Sequence, residues 1–527
     1  MRIAIDVIPI RITGEVGGAM HLVLELIQGL ALQNAENQYF LLTAGWNHQY
    51  FEKYEQYGIQ RILVAGEDKP NIVNNNIFAR IKRKLLMTKL GTYLRKAKGF
   101  TKSSILKSNG IDLLFCPMTA VTYAEPGIPT VSIIYDLQHE YYPQFFSSHE
   151  LEHRRKVFKD LVEVADVLIC ISEYTKRTVV EKYNYDPERI FAIHISVQER
   201  LEHPDKNELK VWLSQKGLLL GGYIFYPANF WPHKNHRMLL TAFNMYIKKH
   251  QERSLKLVFT GSLIGDYQDI KDAIKIMGLD DQILILGYVS DQEIGYLMAG
   301  CKYIIFPSLY EGFGIPVVEA MAFAKPVLCS NTTSLPEVGG EAPLYFDPRK
   351  PDEILASMEQ ISDTKLAEHQ IALGLEQVRQ FTFQKMVERY SEVLNLASSC
   401  DGKLDYKCEG IYTDGWSSES IQIIFGPSKT DRTIQLAVTN LKVSPIQVVK
   451  ADVYLNRQLV RSKELPKESV NILIQDIGQE SGIVEVTFSG TFVPKTIGIN
   501  DERVLGVQVT NVNVVNTQSL IEIKKII

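Results

Sequence analysis

The sequence predicts two tandem Rossmann-like α/β domains followed by an all-β domain. Three observations carry this prediction. Over the first 200 residues, short apolar runs alternate with amphipathic helical stretches. A second series of the same kind begins near Tyr223. Beyond Cys400, helical patterns give way to short alternating runs separated by turn residues. At roughly 100–200 residues per domain, a chain of 527 residues holds about three domains.

In the first series the runs at 2–9, 39–45, 59–66, 111–117, 129–136, 166–172 and 190–196 read as buried parallel strands. Continuous apolar runs suit strands covered on both faces. Residues 18–33, apolar at Leu22, Leu26 and Leu30, and residues 150–164 read as helices between them. The second series has strands at 223–229, 255–261, 283–289, 303–308, 325–330 and 343–347. The polar stretch 199–216 reads as the linker between the halves. Residues 352–397 read as helical. Six alternating runs after Cys400, from 420–425 to 504–515, predict an antiparallel sandwich or jelly roll. The expected units are 1–205, 206–380, a helix at 381–398, and 400–527. Ligands of doubly wound sheets bind at the carboxyl ends of the strands, here in the cleft between the two halves.

A net charge of −4 argues against a nucleic-acid binder. The charge is uneven: Arg80 to Lys107 holds ten Lys or Arg and no acid, leaving −14 on the remainder. Within it, residues 79–104 interleave basic residues with Ile81, Leu85, Leu86, Leu90, Tyr93 and Leu94. That pattern suits either a solvated helix face or docking on an anionic membrane surface. Six cysteines lack C-x-x-C spacing, which implies no zinc site and fits a reducing cytosol. The opening "MRIAIDVIPI" reads as a strand rather than a signal peptide. No apolar run approaches the roughly 20 residues of a membrane span, so a cytoplasmic protein is expected, with possible peripheral attachment to the inner face of the cell membrane.

The chemistry concentrates in "YEGFGIPVVEA" at 310–320. Glu311 and Glu319 flank Gly312, Gly314 and Pro316. Pro316 suits the first turn of a helix, and the glycines before it bare backbone N–H groups. Amides running into a helix N-terminus suit an anion such as a diphosphate. The two carboxylates suit sugar hydroxyls. A second feature, "YPANFWPHKNH" at 226–236, sets Lys234 in a loop opening the next helix, placed to neutralise phosphate. A third is Gly17-Gly18 between the first strand and the first helix, where backbone can approach a ligand.

These features in this order resemble the retaining glycosyltransferases of the GT-B fold, family 4. The likeness is strongest over 220–350, moderate over 1–200 and absent from 400–527. The E-x7-E signature of that family corresponds to Glu311 and Glu319. The resemblance implies that Glu319 binds the nucleotide ribose and Glu311 the hydroxyls of the donor sugar. It implies that the amides of Gly312, Phe313 and Gly314 surround sugar and phosphate, and that the Val289 backbone meets the base. It gives Lys234 to the phosphates; Asn229 and Phe230 stand where the family carries an arginine. In the first half, "YDLQHEYYPQFF" at 135–146 resembles the loop holding a histidine near the reacting carbon, giving Asp136 and His139 on the acceptor side. Ser172, in "SEYTKRTV", resembles a cleft residue and equally suits a helix cap. The tail helix resembles one that crosses back onto the first domain.

The implied activity is metal-independent hexosyl transfer with retention, without cofactor. No D-x-D occurs to hold a metal-bridged donor. The expected donor is GDP-mannose, followed by UDP- and dTDP-sugars. The expected acceptor is a surface polysaccharide, another glycan or a lipid-linked sugar. The last domain resembles sandwich modules of surface-polysaccharide enzymes; its Tyr412 and Trp416 suit either a core or a sugar platform, and it offers an oligomer contact. Two other readings compete: a nucleotide-sugar epimerase on the same two-lobed fold, and a non-catalytic sugar-binding scaffold.

Overall fold

A computed structural model describes residues 1–11, 17–33, 36–66, 104–196, 201–412 and, with gaps, 415–516. The basic stretch 79–104 lies outside the described residues up to 103.

All seven apolar runs of the first half form strands. They are β1 (Arg2–Asp6), β2 (Gln38–Ala44), β3 (Gln60–Ala65), β4 (Leu113–Cys116), β5 (Thr130–Ile134), β6 (Val167–Cys170) and β7 (Ile190–Ala192). The sheet is parallel, in the order β3-β2-β1-β4-β5-β6-β7. The second half holds β8 (Tyr223–Pro227), β9 (Lys256–Thr260), β10 (Ile283–Ile285), β11 (Tyr303–Phe306), β12 (Val327–Ser330) and β13 (Leu344–Phe346). Their order is β10-β9-β8-β11-β12-β13. Both sheets reverse direction of growth beside their first strand, at β1/β4 and at β8/β11. Such a reversal opens a crevice at the carboxyl ends.

Helices cover both sheets. In the first half, α1 (Gly17–Gln33) buries Leu22, Leu26 and Leu30 along one stripe. α2 (Ser148–Val164) is capped by Ser147 accepting from the Glu150 N–H, and α3 (Glu173–Tyr183) by Ser172 accepting from the Thr175 N–H. The stretch read as a linker is largely a helix, α4 (Lys206–Gln215). Asp205 caps it, and Leu209 and Leu213, four residues apart, bury one face. Its polar composition hid that spacing. The second half adds α5 (His236–His250), α6 (Ile315–Ala322) and α7 (Leu335–Gly339). α8 (Phe383–Ala397) packs on the first half, its Tyr390 ring 6.2 Å from that of Phe115.

The chain continues as β14 (Tyr406–Ile411), β15 (Ser417–Phe425), β16 (Arg432–Thr439), β17 (Val449–Leu455), β18 (Gln458–Leu465), β19 (Ser469–Ile474), β20 (Gly482–Ser489) and β21 (Gln508–Asn516). They form two antiparallel sheets, β14-β15-β20-β17-β18 and β19-β16-β21, that share one apolar core. This unit sits on the first half. Lys407 Nζ donates to the Thr122 carbonyl (3.0 Å) and Lys403 Nζ to that of Val162 (2.6 Å). Tyr412 and Trp416 are half-buried in a turn closed by the Tyr412 N–H on the Trp416 carbonyl.

Gly29 shows how closely α1 and α8 meet. A Cβ there would lie 2.6 Å from both Phe383 Cζ and Val387 Cγ2. An alanine gains about 1 kcal/mol of helix propensity over glycine, but overpacking costs typically 1–3 kcal/mol. Gly29→Ala is therefore expected to lower the melting temperature, and adding Val387→Ala to restore part of it. A rise for the single variant in thermal denaturation would contradict this packing.

Candidate active site

The loop after β11 lies at the β8/β11 crevice. Gly314 has φ 106°, a left-handed conformation that favours glycine, and opens α6 with Pro316 in its first turn. Gly312 is required for a different reason: a Cβ there would lie 2.0 Å from the Tyr135 carbonyl oxygen of the first half. The loop carbonyls are held by serines. Ser334 Oγ bridges the carbonyls of Glu311 (2.9 Å) and Phe313 (3.0 Å), while Ser172 Oγ donates to that of Gly312 (2.7 Å). The Glu311 N–H donates to Thr333 Oγ1 (3.2 Å). Among the described residues, none accepts from the N–H groups of Gly312, Phe313 or Gly314. Three successive bare amides at a helix start form a ready anion cradle.

Lys234 reaches this loop from β8. The Tyr226 hydroxyl donates to the Lys234 carbonyl (2.6 Å), and the Leu309 N–H to that of His233 (2.7 Å). The Lys234 ammonium lies 5.4 Å from the centre of the Phe306 ring and donates to Glu311 Oε1 at 2.6 Å. Both side chains are mostly buried, at 17% and 12% exposure. Two residues read as separate ligand contacts are thus each other's partner. The structure also brings Glu319 to the buried side of α6.

Around the cation the histidines stay neutral. Burial pushes His233 down to about 2 and His236 to about 3, with Lys234 adding to both shifts. Phe230 is fully buried with its ring stacked on His236 at 4.5 Å, so that position belongs to the core. Asn229 accepts the Ser262 N–H at 2.7 Å, and Val289 lies just beyond β10, partly buried. Gly17 and Gly18 open α1 past the carboxyl end of β1; residues 12–16 before them lie outside the described residues.

The first half closes on the loop with several contacts. The Tyr310 hydroxyl accepts the Leu137 N–H (3.3 Å), and the Tyr142 hydroxyl donates to the Leu309 carbonyl (3.3 Å). Glu337 of α7 accepts the N–H groups of Glu173 (2.7 Å) and Tyr174 (2.9 Å), the first residues of α3, and meets His194 Nε2 at 2.6 Å. A carboxylate at a helix N-terminus is well placed. Burial raises its pKa, but His194 and those two N–H groups outweigh that and leave it lowered.

Asp136 and His139, read together from sequence, part company here. Asp136 faces the loop, 3.1 Å from where a Cβ on Gly312 would lie. Burial raises its pKa, the Gln138 N–H and Arg154 lower it, Glu311 raises it and Lys234 lowers it. His139 is fully buried against Phe158, ring centres 4.7 Å apart, with neither ring nitrogen hydrogen-bonded. Burial pushes it down to about 4. Sequence reading missed Thr175, Ser334 and Glu337. "SLPE" carried a signal, since S-x-x-E marks a capping box. Here Ser334 makes no cap bond; its hydroxyl goes to the loop and the Glu337 carboxylate to the other half.

Comparison with known proteins shows what the two α/β halves are similar to. Residues 221–374 match the model of Glycosyl transferases group 1, and residues 16–199 that of Glycosyltransferase Family 4. O-antigen chain mannosyltransferase B of Escherichia coli is 29% identical over 243 residues, covering 46% of this chain and 64% of that protein. Serotype-specific mannosyltransferase WbdA of Escherichia coli is 28% identical over 246 residues, covering 45% of this chain and 30% of that protein. The chain thus spans less than two thirds of the length of either. The structure of Anabaena Alr3699/HepE in complex with UDP-glucose superposes with a TM-score of 0.53 at 17% identity, covering 75% of this chain and 100% of the other. A glycosyltransferase from Rickettsia africae gives 0.53 at 16%, covering 76% and 98%. The fold is GT-B. Its first α/β half matches the family 4 model and its second the group 1 model.

The neutral histidines set an acid limit. Between the ordinary histidine pKa near 6.5 and about 4, the unfolded chain binds a proton that folded His139 refuses. Stability is expected to fall as pH drops through that window, and His139→Phe to fall less steeply. Parallel curves of melting temperature from pH 7 to 4.5 would contradict the assignment.

Proposed function

We propose that this protein transfers a hexosyl unit, with retention of configuration, from a nucleoside-diphosphate sugar to a glycan acceptor. The observation that carries the reading is the row of bare amides at Gly312–Gly314 beside the Lys234–Glu311 pair. The diphosphate takes the amides and draws Lys234 from Glu311. Glu311, released, accepts from the sugar hydroxyls, and Glu319 takes the ribose. The bond from the anomeric carbon to the diphosphate breaks with its electron pair on the leaving oxygen. The acceptor oxygen bonds that carbon from the same face and gives its proton to the departing phosphate. Lys234 and the amides stabilise charge that grows in the transition state, where such groups act most strongly. No metal and no cofactor enter this scheme.

Mannose, as GDP-mannose, is the preferred donor, supported by relatives named as O-antigen mannosyltransferases. A neighbour solved with UDP-glucose supports a nucleotide sugar in general. The acceptor is a surface polysaccharide or a lipid-linked glycan. Among the described residues no helix is long and apolar enough to cross a membrane. The epimerase reading is weaker, since both domain matches are to glycosyltransferase families.

A thermal-shift series with GDP-mannose, UDP-glucose and dTDP-glucose tests the donor. A ligand at 100 times its Kd adds about 2.7 kcal/mol, and GDP-mannose is expected to give the largest shift. Lys234→Ala is expected to lower kcat/KM by on the order of 10²-fold, as for removal of a group stabilising developing charge. Breaking a buried pair also leaves a lone charge, so the Lys234→Ala/Glu311→Ala double variant should be more stable than either single one yet equally inactive. Wild-type protein that neither binds nor turns over any nucleotide sugar would overturn the function.

A further inference from the structure

Ser172 belongs to the first half, yet it holds the loop of the second. Its Oγ accepts the Thr175 N–H at 3.1 Å, capping α3. Its single proton has two acceptors in range, the Gly312 carbonyl at 2.7 Å and Thr175 Oγ1 at 3.0 Å. The shorter contact is to Gly312, and the Thr175 hydroxyl is a second, longer donor to the same carbonyl at 3.4 Å. Ser172 is fully buried, so the bond is made away from bulk water.

A trans peptide is planar, and its C=O and N–H point in opposite directions. Holding the Gly312 carbonyl toward α3 therefore turns the Phe313 N–H away from the first half and into the second. Ser334, within the second half, shares its one proton between the carbonyls on either side, those of Glu311 (2.9 Å) and Phe313 (3.0 Å). Two of the three peptide planes in the cradle are thus set from within the second half, and the middle one from across the cleft.

We infer that Ser172 is a positioning residue for the transfer: it fixes the Gly312–Phe313 peptide plane, so the amide cradle is complete only while the two halves are closed. The inference rests on the donor site proposed above and adds that the first half finishes that site. It gives closure a chemical consequence. With the halves apart, the Gly312 carbonyl loses both the short bond from Ser172 and the longer one from Thr175, and the middle amide loses its fixed direction. Nucleotide can then bind through Lys234 and Ser334-held amides, but the leaving diphosphate is stabilised fully only after closure.

Three variants separate this role from helix capping. Ser172→Ala loses both the cap and the donated bond. Ser172→Asp keeps an N-cap acceptor but has no proton for Gly312. Ser172→Thr keeps both. Hydrogen exchange followed by mass spectrometry reads the loop without any ligand. Segment 309–317 is expected to exchange about 10-fold faster in Ser172→Ala and Ser172→Asp than in wild type or Ser172→Thr, as local opening is released. Segment 173–183 should quicken only in Ser172→Ala. With nucleotide sugar, kcat should fall about 10- to 100-fold in the first two variants while nucleoside-diphosphate affinity stays within about threefold, the mark of an interaction made in the transition state. Loop exchange equal to wild type in both variants would overturn the inference whatever the ligand. So would a loss of kcat in Ser172→Ala that Ser172→Asp restores, since capping alone would then explain it. Wild-type protein that binds no nucleoside diphosphate, with the loop exchange as expected, would instead overturn the donor site and with it the role given to the amides.

Discussion

Gly312 sets backbone of one half against backbone of the other, with no room for even a methyl group before the Tyr135 carbonyl. Most of the candidate site follows from that approach. It brings the Gly312 carbonyl within reach of Ser172, and Tyr310 against the aromatic rings of Tyr141, Tyr142 and Tyr174. It also places Glu337 on the first N–H groups of α3. The loop that would hold the donor is therefore also the surface by which the halves meet. Serines engage its carbonyls from both halves, Ser172 from the first and Ser334 from the second, and among the described residues none accepts from its N–H groups. A loop with its carbonyls satisfied and its amides bare has a net preference for anions without any added charge.

The electrostatics of the site are sparse, which favours exchange of partners. Among the described residues Lys234 pairs with one carboxylate, Glu311, and desolvation together with the lysine's charge holds its histidine neighbours neutral. Asp136 faces the same space with its pKa raised. A mostly buried ion pair is weak evidence for stability, since desolvation offsets much of its attraction. The pair fits the function proposed above, in which Glu311 holds Lys234 until the diphosphate replaces it and is then free for hydroxyl groups.

Most of the fold was legible because continuous apolar runs identify covered strands well; all thirteen strands of the two parallel sheets fall on runs read from sequence, β2 starting one residue before its run. The strands not read were β14 and β18, both at edges of one antiparallel sheet. β18, "QLVRSKEL", is exposed over most of its length, with Arg461 and Lys463 reaching carbonyls of β19. Edge strands are often charged and lack a buried alternation. In the site, the spacing of Glu311, the glycines and Glu319 pointed to a clamp. What spacing could not carry was which groups meet across sequence: Lys234 with Glu311, 77 positions apart, or Ser172 with Gly312, 140 apart. Nor could it show that His139 turns into a packed interior while Asp136, three residues earlier, turns to the cleft.

The most direct test of this account is a crystal structure of the protein with GDP-mannose. The account predicts the diphosphate against the amides of Gly312–Gly314, with Lys234 Nζ moved from Glu311 to a phosphate oxygen and Glu311 on the sugar hydroxyls. A nucleotide sugar bound elsewhere, or bound here with the Lys234–Glu311 contact unchanged at 2.6 Å, would contradict it.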